Sequence, residues 1–295
     1  MIDKLIFRSL PHLVRLAARC AESLLHVYCN FCRTLTLKAK MIEKIQTITQ
    51  GKTHVSPSIT KQRQSAIAEI EQPHIDYASR LAIAAAGGIR TPLSAQEFAG
   101  QAGVLMEKVA AMTAVGEHIH PPCLPIYLPS LDGKPFMGLA EELLAGIGNS
   151  FKRICGGEFD NRLSGTLGRM LLMEDTDPAR RIIAALEKKP VVLLYFPIPR
   201  SLQGRSILSQ RHIIKQLPAG FMGCGLLEAA MALAMYPDIL VPASLSNGYS
   251  CPVMSWFLPE YAPYFRCVGK RLFLDHIETA AAYTDYSGGI VYADV

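Results

Sequence analysis

No stretch of this 295-residue chain approaches the eighteen or so uninterrupted apolar residues that a membrane-spanning helix requires. Nor does a hydrophobic leader with a small-residue cleavage site open it. A cytoplasmic location is the expectation. Cysteine is sparse as well. The eight residues Cys20, Cys29, Cys32, Cys123, Cys155, Cys224, Cys251 and Cys267 are too widely spread for a disulfide scaffold and read as free thiols in a reducing compartment. An excess of one charge is also lacking. The formal net charge is +5, and the first forty residues hold seven Lys or Arg against Asp3 and Glu22. The remaining 255 residues are therefore balanced, which argues against a nucleic-acid-binding body.

Phosphate loops are missing too. Gly156-Gly157, Gly165 and Gly168 form neither G-x-G-x-x-G nor a Walker sequence. The Gly-Lys pairs at Gly51-Lys52, Gly133-Lys134 and Gly269-Lys270 lack the upstream spacing. No cofactor is expected. His118-Ile-His-Pro-Pro-Cys123 contains ligand types that zinc uses, but no second Cys or His pair stands near it. Cys29 and Cys32 form a C-x-x-C inside an apparent helix rather than at a strand-to-helix turn, which favours packing over redox chemistry.

What the chain does have is apolar material: half its residues are hydrophobic, enough to bury a core. Residues 1–45 read as a basic amphipathic helical segment, with Leu5, Ile6, Leu10, Leu13, Val14, Leu16, Leu24, Leu25 and Val27 at helical spacing. Its readings are a helix docked on the body, a contact for a partner or membrane surface, an organelle-targeting segment, or an extension ahead of a start at Met41. Residues 46–73 are polar and read as a linker, with one short helix at Lys61–Glu71. Residues 74–295 read as a single α/β body.

Within that body, Asp76–Ala86 is a helix stopped by Gly87-Gly88. Ser94 and Glu97 form a capping box for a helix running to about Val115. Leu124–Leu128 is a short strand, Leu139–Ile147 is helical and Cys155–Gly168 is loop. Asp177 and Pro178 open a helix over Ala179–Lys188. Val191–Phe196, a six-residue apolar run between two prolines, is a buried strand. Helices follow at Arg205–Leu217 and Gly225–Tyr236, and strands at Ile239–Pro242, Arg271–Leu274 and Ile290–Tyr292. The expected fold class is α/β, a helix-flanked mixed or mainly parallel sheet in the carboxy-terminal part behind an amino-terminal helical region.

One local arrangement suggests chemistry. In Gly220-Phe-Met-Gly-Cys-Gly-Leu-Leu-Glu228, Cys224 lies between two glycines just before a helix. Free N–H groups at a helix start favour a thiolate and can hold an oxyanion. The arrangement resembles, in outline, the nucleophile turns of thiol hydrolases and amidotransferases, although Lys215–Ala219 ahead of it is not the buried strand such turns follow. His276 is the preferred base because it follows a strand end; His212 is the alternative. Asp275 or Asp285 would orient the imidazole. A second element, Tyr249–Phe265, concentrates aromatics, prolines and the single Trp256. It reads as a packed irregular connection over the core, or else as the lining of a ligand pocket or partner surface. Two functions follow: a cysteine-dependent hydrolase or acyl/amide transferase using Cys224 with His276 and Asp275, or a non-catalytic protein that holds a partner.

Overall fold

A computed structural model describes residues 71–295 apart from 113–114, 117, 168–170, 174–175 and 242–247. They belong to one compact unit, Glu69–Val295. The basic segment 1–45, the Cys29/Cys32 pair, the helix at Lys61–Glu71 and most of the linker lie outside the described residues. Among the described residues, no helix is long and apolar enough to cross a membrane.

The chain enters through two capped helices. Asp76 accepts a hydrogen bond from the Ser79 N–H to start α1 (Tyr77–Ala86). Ser94 and Glu97 exchange their capping-box bonds, Glu97 N–H to Ser94 Oγ at 3.2 Å and Ser94 N–H to Glu97 Oε2 at 2.9 Å, to start α2 (Ala95–Ala110). Phe98, Ala102, Leu105 and Val109 form the buried stripe of α2. That stripe ends at Val109, and α2 stops five residues before Val115 as the Met112 N–H bonds back to the Val109 carbonyl.

β1 (Leu124–Leu128) leads to α3 (Phe136–Cys155), twice the expected length, and then to β2 (Glu158–Asn161). The expectation of loop over Cys155–Gly168 is corrected by β2. The strand within it was hidden because β2 is an edge strand whose outward residues, Glu158 and Asp160, are polar. β3 (Leu171–Met173) and α4 (Asp177–Leu186) follow. The cap of α4 is Thr176, one residue before the expected Asp177, since its Oγ accepts from the Ala179 N–H. β4 (Val191–Phe196), α5 (Ile207–Ile214), β5 (Phe221–Gly223), α6 (Leu226–Met235) and α7 (Pro237–Leu240) come next. The expected strand at Ile239–Pro242 is instead the short helix α7. Tyr236 breaks α6 at φ −129°, ψ 46°, and Pro237 restarts a helical turn.

The remainder is sheet: β6 (Gly248–Ser250), β7 (Met254–Trp256), β8 (Tyr261–Val268), β9 (Arg271–Glu278), β10 (Tyr286–Gly288) and β11 (Ile290–Tyr292). Thus Tyr249–Phe265 is mostly strand rather than irregular connection. β9 runs four residues past Leu274 because β8 pairs with it from Val268↔Arg271 to Tyr261↔Glu278.

The strands form a four-stranded sheet (β1-β4-β11-β5), a five-stranded sheet (β10-β6-β8-β9-β2) and a two-stranded ribbon (β3-β7). The fold mixes helices with mixed sheets, but it is not mainly parallel. Among the described residues the first sheet is antiparallel throughout, and parallel pairing is confined to β10–β6 and β2–β9. The short β8–β9 hairpin imposes one antiparallel pair, while β11 returns from far along the chain to lie antiparallel between β4 and β5.

β4 lies inside the first sheet, with Leu193 opposite Ile126 of β1 and Tyr195 opposite Val291 of β11. α2 and α4 pack on β4, while α6 packs on β1. All ten residues of α6 are buried. α6 also packs against α3, and α3 lies on β2 of the second sheet, so the core runs unbroken between the two sheets.

Leu193 is fully buried. Leu193→Asp would bury an unpaired carboxylate at a cost of several kcal/mol, comparable to the stability of a domain. Insoluble or unfolded protein is expected, against a near-parental melting curve for Lys188→Asp. A Leu193→Asp protein that melts like the parent would refute the central placement of β4.

Candidate functional site

The start of α6 is the meeting point of both sheets. β5 delivers the chain to it, a short strand just ahead of Cys224 that the polar segment before it had concealed. Three successive N–H groups open the helix, and each has an acceptor. Cys224 N–H donates to the Gly289 carbonyl at 2.8 Å, Gly225 N–H to Glu228 Oε2 at 3.0 Å, and Leu226 N–H to Met254 Sδ at 2.9 Å. These are the groups that would otherwise hold an oxyanion.

Cys224 itself is fully buried. Its thiol donates to the Gly225 carbonyl at 3.1 Å. Burial pushes its pKa well above the usual thiol value, with Cys251 and Glu228 adding to the effect and a hydrogen bond with Tyr195 opposing it. Gly289 is required here: a Cβ on it would lie 2.4 Å from the Tyr195 ring and 2.9 Å from Cys224 Cβ. Cys251 is fully buried as well and its pKa is raised by burial.

His276 and Asp275 stand together on β9. The expectation that His276 follows a strand end is corrected, since it lies within β9. Asp275 Oδ1 accepts the His276 N–H at 2.9 Å and lies 3.3 Å from His276 Nδ1. The Arg162 guanidinium donates to Asp275 Oδ2 at 2.9 Å. The imidazole stacks on Trp256 (centroids 6.5 Å apart, 24° between planes) and meets the Tyr261 ring edge-on at 5.3 Å. Its side chain is 44% exposed. Among the described residues, no hydrogen bond or ion pair joins His276 or Asp275 to Cys224. Asp285 lies in the turn before β10. His212 is on α5 with Nε2 3.0 Å from the Gln216 side-chain amide. His118 and His120 belong to no His/Cys/Asp/Glu group that could hold a metal ion among the described residues.

A cavity of about 240 Å³ opens beside the glycine turn, lined by Ile214, Phe221, Met222, Gly223 and Val253 with Arg211 among its polar walls. Gly223 reaches it and Cys224 does not. Arg211 also pins the next segment: its Nε donates to the Pro252 carbonyl at 2.7 Å, and its Nη2 to the Met254 carbonyl at 2.9 Å and Ser255 Oγ at 3.1 Å.

That pinned segment carries an unusual residue. Phe257 sits at φ 59°, the left-handed region that a bulky side chain rarely adopts. The Leu258 N–H donates to the Trp256 carbonyl at 2.6 Å across it, closing a three-residue γ-turn of the rare, strained kind. Phe257 is nevertheless 58% exposed, and Leu258 beside it is 38% exposed. Leu208, 51% exposed, belongs to the same region. Its N–H donates to the Thr279 carbonyl at 3.1 Å, and the Thr279 N–H donates to the Glu260 carbonyl at 2.7 Å. The run of aromatics was legible in the sequence. The γ-turn was not, because nothing marks a phenylalanine as left-handed until its neighbours are in place.

The chain matches no model of a known protein family, no curated protein and no solved structure.

Glu228 is buried beside this turn, with the Gly225 N–H on its carboxylate, and burial raises its pKa above the usual 4.5. The folded chain therefore keeps a proton that the unfolded chain loses above pH 4.5. The parent should lose stability as pH rises from 4.5 through the raised value, and the deficit should persist above it. Glu228→Gln keeps an acceptor for Gly225 without the charge. Its melting midpoint should gain on the parent over that window, by about 2–4 °C for each kcal/mol. A midpoint difference that stays flat from pH 4 to 8 would show that the carboxyl titrates normally.

Proposed function

We propose that this protein is a non-catalytic recognition module that holds a protein partner against the Phe257 turn. One observation carries the reading: a large aromatic ring is held out to solvent in a backbone conformation that costs about 1–3 kcal/mol. Among the described residues the ring belongs to neither core cluster, whereas contiguous exposed apolar side chains with a polar rim are what partner surfaces use. Here Phe257, Leu258 and Leu208 supply the apolar part, and the exposed Glu260 and Glu278 supply an acidic rim. The Arg211 clamp keeps the turn from collapsing, so little ordering cost remains for binding. Trp256, Tyr261 and His276 form the aromatic floor beside it.

In this reading Cys224 is a packing residue and His276 is a wall of the recognition surface, rather than a nucleophile with its base, while Asp275 holds Arg162 on the opposite face of β9 in place of orienting an imidazole. The thiol has no open path, and its N–H neighbours already have acceptors. The basic segment 1–45 remains a second candidate contact for a partner or an anionic membrane surface.

Two measurements check this. Phe257→Gly removes the ring and suits the left-handed turn, so the variant should melt at or above the parent. Panning the full chain against a displayed random-peptide library should enrich apolar peptides whose affinity falls about tenfold or more in Phe257→Gly, as for a central aromatic anchor. Failure to enrich, or equal binding by the variant, sinks the proposal. For the thiol, brief iodoacetamide treatment of native protein should label the half-buried Cys155 and Cys267 ahead of the buried Cys224 and Cys251. Labelling of Cys224 first would restore the case for thiol catalysis.

A further inference from the structure

On the face of the five-stranded sheet reached by Phe273, three guanidinium groups converge on one ring. Arg162, Arg271 and Arg266 place their Cζ atoms 4.5, 5.4 and 5.7 Å from the Phe273 centroid. The strand register dictates this. Asp160, Phe273, Arg266, Gly248 and Tyr286 are successive cross-strand partners on β2, β9, β8, β6 and β10, and such partners share a face. Arg162 follows β2 directly, tied by its N–H to the Leu274 carbonyl at 3.0 Å.

The three are not equally satisfied. Arg162 is held by Asp275 at 2.9 Å. Arg271 has its nearest carboxylate oxygens, on Asp160 and Glu158, at 3.8 and 3.9 Å, beyond hydrogen-bond reach. Arg266 forms no ion pair among the described residues, and its Nε is buried with no hydrogen-bond partner. A buried donor without an acceptor is costly, and the outer nitrogens of Arg266, which take part in no hydrogen bond among the described residues, are the ones an anion would meet. Two forked donors side by side on rigid strands match the oxygens of a phosphate chain. Further along the same face Tyr264, Tyr286 and Tyr283 stack in a ladder, at 5.5 Å and 27°, then 5.0 Å and 25°. Tyr283 ends the ladder and is 43% exposed, leaving a ring face open to a flat group.

We propose that this sheet face binds a diphosphate group through Arg266 and Arg271, with Arg162 and Asp275 as the fixed wall of the site and Tyr283 as the platform for a base when the diphosphate belongs to a nucleotide. The site is independent of the Phe257 turn.

Isothermal titration of the full chain at low ionic strength, where charge contacts are least screened, tests it with two probes, inorganic pyrophosphate and ADP. Both should saturate one site. Arg266→Met keeps the stem over Phe273 and removes the orphaned donor, so it should melt at or above the parent while weakening both probes about tenfold or more. Arg271→Met should weaken both as well, and Phe257→Gly should bind as the parent does. ADP binding about tenfold tighter than pyrophosphate, with that preference lost in Tyr283→Ala, identifies a nucleoside diphosphate as the ligand; equal affinities identify the phosphate chain alone. If neither probe saturates, or both Arg variants bind like the parent, the proposal is overturned. A loss in Phe257→Gly equal to that in Arg266→Met would place the ligand elsewhere and overturn it too.

Discussion

A helix buried on every side cannot leave its first N–H groups to water, and α6 imposes that constraint on the structure around it. Its ten residues are buried, so its opening donors need acceptors from within the core. Each acceptor comes from a different part of the chain. The Gly289 carbonyl brings in the turn between β10 and β11, Met254 brings in β7, and Glu228 turns back from the helix itself. Seating α6 therefore couples the first sheet, the two-stranded ribbon and the second sheet at one place. Among the described residues no cation stands beside the buried Glu228; the Gly225 N–H at the helix start holds its carboxyl group, and burial raises its pKa.

That constraint also bears on what the glycine-flanked cysteine can do. A nucleophile turn needs the same geometry, a small residue at a strand-to-helix junction with unspent N–H groups. Here the junction exists, but its donors are spent on holding the helix. The thiol faces Tyr195, Cys251 and Glu228 rather than a cleft, and burial disfavours the thiolate. Followed to their acceptors, the hydrogen bonds of this motif seat α6 in the core.

The surface features lie where the core has little need of them. The Phe257 turn projects from the junction of β7 and β8, anchored by Arg211 from α5. The arginine cluster lies on the face of the second sheet away from the main core, over a ring that the guanidinium stems cover. Both are held on paired strands, so their side chains are positioned before any ligand arrives, which lowers the cost of binding.

Local pattern determined a good part of this protein. The apolar run at Val191–Phe196 could only be an interior strand, and the Ser94–Glu97 pair could only open a helix, because burial on two faces and capping are properties of neighbouring residues. Ile290–Tyr292 and Leu124–Leu128 were legible for the same reason. Edge strand β2 was not, since its polar outer face erases the apolar signal, and neither was α7, whose apolar residues suit a strand until Pro237 restarts the turn. Antiparallel pairing was invisible because it depends on which distant strands meet. The candidate site shows the division most sharply. Sequence placed Asp275 beside His276 by adjacency, and it marked Cys224 by its glycines. Only the tertiary structure decided that Cys224 is sealed, that Phe257 is turned outward, and that Arg162, Arg266 and Arg271 share one ring, for burial, backbone handedness and cross-strand register are set by contacts between residues far apart in the chain.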